Sequence, residues 1–428
     1  MTLPRDHPQR LSLNDEVHAR PPEALEAPLR LSFFALTCRE DDLDRQGRDI
    51  ATLAQRFGAT PPQPGANHYS ADLGAFRVKW ERHTEFSRYT FIATGHADAP
   101  FDKPAIDLVP EDWRQGLTGD ILVAAHVAFL PATQQEPDFE RLSDAHFGGN
   151  VLVGGAVAGG AALAVTDFRV HADGFSRFLV EDRNLTQRQA GRMIQRLLEI
   201  DSYRMMALLA LPVARSLSGA LTASERELAG IASALAGLGV ADEAALLDRL
   251  TTLEAEIESR HTDTLFRFGA SAAYYALVQR RIAELRETRL PGLQTIEEFL
   301  ERRLTPAMQT CQAVAARQSS LSQRVAHASQ LLSTRVEIAR QGQSQALLES
   351  MDRRARLQLR LQETVEGLSV AAVTYYVASL VGHLAEGLEA GGMHVEPTLI
   401  EALSIPVIAL LAFLGVRRIR RSVARDAE

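Results

Sequence analysis

Two apolar stretches near the carboxyl end constrain the fold of this chain more than any other feature. They cover residues 367–385 and 399–416, and residues 386–398 form a loop between them. Each stretch reaches the roughly 17 residues that a helix needs to cross the hydrocarbon core of a bilayer. The loop has no Lys or Arg, whereas arginines flank the outer side of both stretches: Arg353, Arg354, Arg356 and Arg360 before the first, and Arg417, Arg418, Arg420, Arg421 and Arg425 after the second.

This distribution of charge predicts a transmembrane hairpin whose two ends both face the cytoplasm, because Lys and Arg are retained on that side of a membrane. Residues 386–398 would then form a short periplasmic loop. His383 and Glu401 interrupt the apolar stretches near that loop, and Pro406 is expected to kink the second helix. The alternatives are a single span, an anchor in one leaflet and a helical hairpin buried in a soluble domain. A soluble hairpin has no reason to separate its arginines in this way.

The composition excludes several other classes of protein. The chain has 428 residues, enough for two or three domains, and its formal net charge of -8 argues against a nucleic-acid-binding protein. Cys38 and Cys311 lie in unrelated contexts, so neither a disulfide framework nor a thiolate zinc site is expected. The polar amino-terminal segment has no apolar signal core, so we expect no export.

The chain divides into four regions that together predict an α+β fold. Residues 1–183 are predicted to form a mixed α/β cytoplasmic domain, residues 184–295 a helical region, residues 296–365 a long stalk helix, and residues 366–428 the hairpin with its basic tail. In the first region, apolar or alternating segments predict strands at residues 29–38, 75–80, 85–93, 121–130, 161–171 and 174–181, and an amphipathic pattern predicts a helix at residues 41–57.

The stalk segment is predicted to be one helix because it has no proline after Pro306 and only one glycine, Gly342. Its apolar residues approximate a heptad stripe, at Met308, Cys311, Leu321, Val325, Ala328, Leu332 and Ile338. Gln318, Arg335 and a polar stretch at residues 341–345 interrupt that stripe. A coiled-coil-like helix of this kind favours self-association. We therefore expect a homo-oligomer that associates through the stalk and the spans.

A polar cluster in the first region is the main candidate for chemistry. If the strand at residues 161–171 continues, Asp167, His171 and Asp173 would share one of its faces, with His146 some twenty residues upstream. Side chains of these types bind divalent cations or act as an acid–base pair. A divalent cation is therefore a candidate cofactor, and no other cofactor is indicated. A solvated strand face with a charged turn explains the same residues without any site.

Two other segments give weaker signals. Glu81, His83 and Glu85 alternate, so an extended strand would present them on one face, either as metal ligands or as a plain polar surface. The glycine-rich segment at residues 148–160 lacks the Gly-Lys-Ser/Thr ending of a phosphate-binding loop and does not match GxGxxG. Close backbone packing or a tight hairpin explains its glycines better.

Four segments carry a resemblance to a known family: NDEVHARPPEAL at residues 14–25, TDFRVHADGFSRFLV at 166–180, YRMMALLALPVAR at 203–215 and SMDRRARLQLRLQETVEGLSVAA at 350–372. Together they resemble a bacterial membrane family, domain of unknown function 3422. The resemblance covers essentially the whole chain. It implies a membrane-associated architecture at the carboxyl end, in the bacterial inner membrane, and it implies no activity, substrate or catalytic residue.

The order of elements is also similar to that of CorA-type magnesium transporters, which combine an α/β domain, a long stalk helix and two carboxyl-terminal spans. That family has a Gly-Met-Asn signature at the pore entrance. Here Gly392 and Met393 are followed by His394, so the amide expected to hold a hydrated cation is missing. If the likeness extended to function, these three residues, together with Glu389 and Glu396, would lie at the entrance.

Three hypotheses for function follow. The first is a non-enzymatic inner-membrane protein that presents a cytoplasmic α/β-helical module on a helical stalk. Its partners would be the lipid bilayer and other copies of itself, not nucleic acid, and the sequence indicates no particular small-molecule ligand. The second is a CorA-like divalent-cation channel or transporter. The third is a membrane-tethered, metal-dependent enzyme that uses the cluster around Asp167, His171 and Asp173.

Overall fold

The chain forms two compact units in the computed structural model, which describes residues 5–11, 13–14, 21–37, 42–95, 99–133, 137–237, 243–392 and 396–425. The first unit comprises Met1–Gly237 and Asp248–Ser329, and the second comprises Leu238–Leu247 and Gln330–Glu428. The first unit contains a sheet with helices packed on it, whereas the second is helical in its described residues. The fold is therefore α+β, as the sequence predicts.

An eight-stranded sheet forms the centre of the first unit. Its strands are β1 (Leu29–Thr37), β2 (His68–Asp72), β3 (Arg77–Arg82), β4 (Phe86–Thr94), β5 (Asp120–Pro131), β6 (Val153–Val157), β7 (Ala162–Thr166) and β8 (Ser176–Asp182). They lie in the order β2-β3-β4-β1-β5-β8-β7-β6. Neighbouring strands are antiparallel except β5 and β8, which are parallel. Because β1 pairs along its whole length with both β4 and β5, these three strands form the middle of the sheet.

The helices vary greatly in length. They are α1 (Leu43–Arg56), α2 (Glu111–Gln115), α3 (Phe139–His146), α4 (Gln187–Leu208), α5 (Ala210–Gly237), α6 (Glu243–Leu285), α7 (Ile296–Ala390) and α8 (Pro397–Arg425). The predicted stalk and the first apolar stretch belong to the same helix, because α7 runs without a break through 95 residues. Pro406 lies inside α8, which is also continuous.

Alternation along the strands gives the sheet two buried faces. On one face, Phe34 and Tyr89 belong to an aromatic cluster that packs against α1 and α2; the Tyr89 and Trp113 rings lie 6.1 Å apart. On the other face, Leu31 of β1 lies opposite Ile194 of α4. The sheet is therefore the middle layer of the first unit, and side chains that alternate on β3 and β4 point into two different environments.

The glycine-rich segment forms β6 and the turn into β7. Gly154 pairs with Val165, and a Cβ on Gly154 would lie 2.0 Å from the carbonyl oxygen of Ala164. Its φ of +147° is also one that L side chains rarely adopt. Only glycine allows the two strands to approach this closely, so the prediction of close backbone packing is confirmed.

Candidate functional site

The polar cluster predicted from the sequence does not lie on a strand face. β7 ends at Thr166, before the predicted end at residue 171, and the chain turns at Phe168, whose φ of 52° is left-handed. The expectation that Asp167, His171 and Asp173 alternate along one strand is therefore wrong. The last two lie at a turn that leads into β8, in which the N–H of Gly174 donates to the carbonyl of His171 at 2.9 Å.

Asp167 is buried, and both of its carboxylate oxygens have partners in the protein. Oδ1 accepts a hydrogen bond from the backbone N–H of Arg169 at 3.1 Å, and Oδ2 accepts one from the side chain of Asn150 at 2.9 Å. The Nε2 atom of His171 lies 3.0 Å from the same Oδ2. The carboxylate therefore fixes the path of the loop that follows β7.

Arg177 on β8 connects the other two candidates. Its guanidinium lies 3.3 Å from the carboxylate of Asp173 and donates to the backbone carbonyl of His146 at 2.6 Å. Burial tends to raise the pKa of Asp173, but hydrogen bonds from the Phe175 N–H and from Arg177 outweigh burial and leave it below its ordinary value. Burial and the nearby Arg177 both lower the pKa of His146. Arg177 therefore favours the charged form of the Asp173 carboxylate and, together with burial, the neutral form of the His146 imidazole.

The four candidates form separate pairs. Asp167 lies against His171, Asp173 lies against Arg177, and His146 takes part through its backbone carbonyl. Within the part of the chain that the structure describes, no group of three or more His, Cys, Asp or Glu side chains is arranged to hold a metal ion. The arrangement is that of a loop stabilised by contacts with its own side chains and backbone.

A buried serine–histidine pair lies on the two central strands. Ser32 of β1 faces His126 of β5, with 3.0 Å between Oγ and Nδ1. The N–H of Ile106 donates to the same Oγ at 3.0 Å, and which of Ser32 and His126 donates to the other depends on the tautomer of the imidazole. The ring of Phe175 stacks on His126 with 3.9 Å between centroids. Burial lowers the pKa of His126 to about 4, which keeps it neutral at pH 7.

A serine beside a neutral imidazole is the arrangement of a nucleophile and its base. Ser32 is 0% exposed, however, and His126 is 3% exposed. Full burial favours a structural role, in which each polar group satisfies the other inside the sheet. The only sequence signal for this pair is a single histidine within the apolar run at residues 121–130.

The opposite face of the sheet contains a buried network of charges that sequence reasoning also missed. Glu81 of β3 lies 2.9 Å from Arg88 of β4 and 3.1 Å from Lys79. Arg88 also lies 3.5 Å from Glu199 of α4, and Glu199 pairs with Arg281 of α6. Four residues of the network are buried, each with an exposed fraction between 3% and 8%: Lys79, Glu81, Arg88 and Glu199. The network therefore connects two strands to two helices through desolvated charges.

A small cavity of about 40 Å³ lies beside this network, between the sheet and α4. Lys79 and Arg88 are among its lining residues. The amino-terminal segment covers it: the carbonyl of Pro21 accepts a hydrogen bond from Lys79 at 2.9 Å, and Glu23 pairs with Arg77 at 3.0 Å. Ligand pockets typically measure about 300–1,000 Å³. This cavity has room for a few water molecules and no more.

The predicted face of Glu81, His83 and Glu85 is wrong as well, because β3 ends one residue before His83. Glu81 points into the charge network. His83 stacks on Phe86, with 4.6 Å between ring centroids. Glu85 accepts two hydrogen bonds from Arg267 of α6, at 2.8 and 3.3 Å. The three side chains therefore serve three separate contacts.

In the second unit, small residues form the contact between α7 and α8. Gly382 lies against Glu401, since a Cβ on Gly382 would be 3.1 Å from that carboxylate. Ala378 and Ala385, about one turn to either side, are 4% and 2% exposed. This spacing places all three on one face of α7. Small side chains let two helices approach closely, as they do in helix pairs within membranes.

Large apolar side chains on the same two helices point outward. They are Leu368, Val373, Tyr375, Tyr376, Val377, Leu380, Leu384, Leu388, Leu399, Ile400, Leu403, Ile405, Val407, Leu410, Leu411, Phe413 and Leu414. Monomeric soluble proteins rarely expose contiguous apolar surface of this extent. The hairpin thus has the inverse of a soluble packing, with small residues inside and large apolar residues outside.

Among the described residues, three helical segments are long and apolar enough to cross a membrane: Gln187–Ala236, Ile296–Ala390 and Pro397–Arg418. The most apolar window of each is 33%, 17% and 0% buried, respectively. The first segment contains α4, which packs on the sheet and contributes Glu199 to the charge network. The second and third contain the two stretches predicted to span the membrane.

Of the residues predicted to line a pore entrance, Glu389 lies in the last turn of α7, and Gly392 and Glu396 lie between α7 and α8. Gly392 closes the end of α7, with a φ of 94° and an N–H that donates to the carbonyl of Glu389 at 3.0 Å. The side chains of Glu389 and Glu396 are exposed. Met393 and His394 lie outside the described residues. The contacts of Gly392 are those of a helix-terminating glycine.

Comparison with known families identifies the family of this chain. A family model described as "Protein of unknown function (DUF3422)" matches residues 5–423. The match spans nearly the whole sequence, so the chain belongs to this family. No curated protein matches the chain. The family description states no activity, and any function has to be argued from the contacts described above.

Proposed function

We propose that this member of the DUF3422 family is a non-enzymatic membrane-anchored protein. In this proposal α7 and α8 form a hairpin across the bacterial inner membrane, both chain ends lie in the cytoplasm, and the first unit is a cytoplasmic module that the hairpin retains at the membrane. The observation that carries the proposal is the inverse packing of the hairpin.

The solvent around the hairpin determines whether its outward-facing surface is stable. Leaving a large apolar side chain in water, instead of burying it, forgoes roughly 1.5–3 kcal/mol. The outward-facing side chains of the hairpin repeat this loss along both helices. In a bilayer the same side chains contact hydrocarbon, and the helices satisfy their own backbone groups. Lipid is therefore the solvent in which this surface is stable.

The charges at the ends of the hairpin support its orientation. The two helices are antiparallel, since Gly382 lies against Glu401 while Gly367 and Arg417 line one groove at the other end. The arginines that precede the first stretch and those that follow the second are therefore at the same end. Acidic residues, including Glu389 and Glu396, occupy the opposite end. The positive-inside rule favours the arginine end as the cytoplasmic one.

The non-enzymatic part of the proposal rests on the contacts that the candidate residues make in the first unit. Asp167 is held by its neighbours in the loop after β7, and the Ser32–His126 pair is buried between β1 and β5. No contact among the described residues favours the transporter or the metal-dependent enzyme. Both of those hypotheses remain predictions of the sequence.

Alkaline carbonate extraction of membranes from expressing cells tests the anchor. We expect the full chain to stay in the membrane pellet. Placing Arg at the centre of a spanning helix opposes insertion by about 2.5–3.5 kcal/mol per residue. Leu410→Arg combined with Leu411→Arg should therefore release the chain or prevent its insertion.

The matched control is Leu348→Arg combined with Leu359→Arg, on the part of α7 before the first span. These leucines are 64% and 57% exposed, compared with 59% and 63% for Leu410 and Leu411. In water the two double variants would have similar effects, whereas in a bilayer only the Leu410/Leu411 variant loses membrane retention. A wild-type chain that extracts into the supernatant would overturn the proposal, and so would equal retention of both variants.

A further inference from the structure

The hairpin contains an open groove at its arginine end. The groove lies between α7 and α8 and has a volume of about 380 Å³, within the range of about 300–1,000 Å³ that is typical of ligand pockets. A Cβ on Gly367, which lines the groove, would meet nothing within 4 Å, whereas a Cβ on Gly382 would lie 3.1 Å from Glu401. The two helices are therefore in close contact near the loop and leave open space between them at the other end.

The lining of this groove changes from charged to apolar along the hairpin. Glu366 immediately precedes the first apolar stretch, and Arg417 immediately follows the second. Val370, Phe413 and Val416 lie within those stretches and form the apolar part of the lining. In the proposed anchor, the charged side chains are therefore at the level of the lipid headgroups, and the apolar part of the groove extends to the level of the acyl chains.

This order of charged and apolar lining matches a phospholipid. A phospholipid enters with its charged headgroup at the membrane surface and its acyl chain toward the bilayer centre, so each of its parts meets lining of the same kind. An apolar protein helix in the same place would remove water from the charged side chains without pairing them, which is unfavourable. A small water-soluble ion would leave the apolar part of the groove unfilled.

The charges in the groove indicate which headgroup fits. Glu363 and Glu366 are about one turn apart on α7, and Arg417 belongs to α8. Glu363 and Arg417 are exposed and Glu366 is half-buried, and the Glu366 carboxylate accepts a hydrogen bond from Gln362 at 3.3 Å. A phosphate group forms strong, charge-assisted hydrogen bonds with a guanidinium, and an ammonium group donates up to three hydrogen bonds to carboxylates.

A headgroup that combines phosphate with a primary ammonium presents both of these charges, as phosphatidylethanolamine does. Phosphatidylglycerol has the phosphate but no cation for the two carboxylates. Phosphatidylcholine has a quaternary ammonium, which has no N–H to donate. Two carboxylates and one guanidinium therefore favour an aminophospholipid over an anionic lipid of the same size.

We propose that the groove between α7 and α8 binds one phosphatidylethanolamine molecule. Arg417 binds its phosphate, Glu363 and Glu366 bind its ammonium, and an acyl chain packs against Val370 and Phe413. This inference rests on the proposed anchor, because the bilayer supplies the lipid and places the charged end of the groove at headgroup depth. The bound lipid fills the space that Gly367 leaves between the two helices.

Native mass spectrometry of the full chain in detergent tests the inference. The chain is incubated with equal amounts of phosphatidylethanolamine, phosphatidylcholine and phosphatidylglycerol that carry identical acyl chains. We expect one phosphatidylethanolamine adduct, about fivefold or more above the adducts of the other two lipids. Equal occupancy by the three lipids, or a preference for phosphatidylglycerol, would overturn the inference.

Two variants with matched controls locate the bound lipid. Gly367→Leu places a side chain in the groove and should remove the preference, whereas Gly415→Leu should retain it, because Gly415 also has open space at its Cβ but does not line the groove. Arg417→Gln should lower phosphatidylethanolamine occupancy by about fivefold. Arg418→Gln makes the same change of charge at the neighbouring exposed position and should leave the occupancy unchanged.

Equal effects of a groove variant and its control would place the lipid elsewhere and overturn the inference. Carbonate extraction of the same chain separates this failure from failure of the anchor. A chain that stays in the membrane pellet but shows no preference for phosphatidylethanolamine refutes the lipid site alone. A chain that extracts into the supernatant refutes the anchor, and the lipid site with it.

Discussion

Replacing Arg88 by methionine tests whether the buried charge network stabilises the first unit. Arg88 is 4% exposed and contacts both Glu81 and Glu199. Methionine fills much of the same space but cannot neutralise a carboxylate. In the variant, Glu81 keeps only Lys79 as a cationic partner, and Glu199 keeps only Arg281.

The expected decrease in the free energy of unfolding follows from the burial of the charges around Arg88. Removing one partner of a buried ion pair destabilises a protein by about 3–5 kcal/mol, because the remaining charge is left in a poorly solvated site. The remaining partners Lys79 and Arg281 compensate in part, so we expect the lower end, about 3 kcal/mol. In a unit of this size, that loss corresponds to a fall in Tm of about 5–10 °C.

Tryptophan fluorescence is a suitable assay, because the only tryptophans of the chain, Trp80 and Trp113, are both buried in the aromatic face of the sheet. Thermal unfolding of the full chain in detergent therefore reports on the first unit. Arg56→Met is the matched control: Arg56 lies 2.7 Å from Asp112, but these side chains are 49% and 71% exposed. Exposed ion pairs contribute little, so its Tm should stay within about 2 °C of wild type. An unchanged Tm for Arg88→Met, or equal shifts for both variants, would refute the reasoning.

Two further variants test other parts of the structure. Burial lowers the pKa of His126 from 6.5 to about 4, so the folded state favours the neutral imidazole. The resulting contribution to the free energy of unfolding is complete above about pH 6.5 and falls by up to about 3 kcal/mol as the pH drops to 4. Thermal unfolding at pH 4.5 and 7 measures this loss. The His126→Asn variant should no longer lose this stability at pH 4.5, whereas His68→Asn, at an exposed position, should still lose it. Parallel pH profiles for the two variants would contradict this. Gly191→Ala would place a Cβ 1.7 Å from the carbonyl oxygen of Glu23 and should lower the Tm by several degrees. Gly219→Ala is the control, because its Cβ would meet nothing within 4 Å. Equal Tm values for the two variants would argue against close contact between the amino-terminal segment and α4.

The parts of the fold that depend on local patterns could be predicted from the sequence. The apolar run that begins at Leu29 forms β1, the amphipathic segment after residue 41 forms α1, and the proline-free segment after Pro306 is helical. Each signal repeats every two or every three to four residues and needs no knowledge of distant parts of the chain. The α+β class follows from these elements.

Features that depend on contacts between distant residues could not be predicted. The strand that contains Thr166 ends early because Asp167 pairs with Asn150, seventeen positions earlier in the chain. Arg88 and Glu199 are 111 residues apart, and no local pattern marks them as partners. Sequence periodicity indicates which face a side chain occupies, but not which element covers that face. This limit explains why side chains that were predicted to share one strand face make separate contacts instead.

The orientation of the hairpin, with its acidic loop outside, is tested most directly by labelling single cysteines with a membrane-impermeant maleimide in intact spheroplasts. The full-length background for this labelling carries Cys38→Ser and Cys311→Ala. We predict that Glu389→Cys is labelled in intact spheroplasts and that Ser344→Cys is labelled only after permeabilisation. A loop cysteine that reacts only after permeabilisation, or a Ser344→Cys chain that reacts without it, would contradict the account.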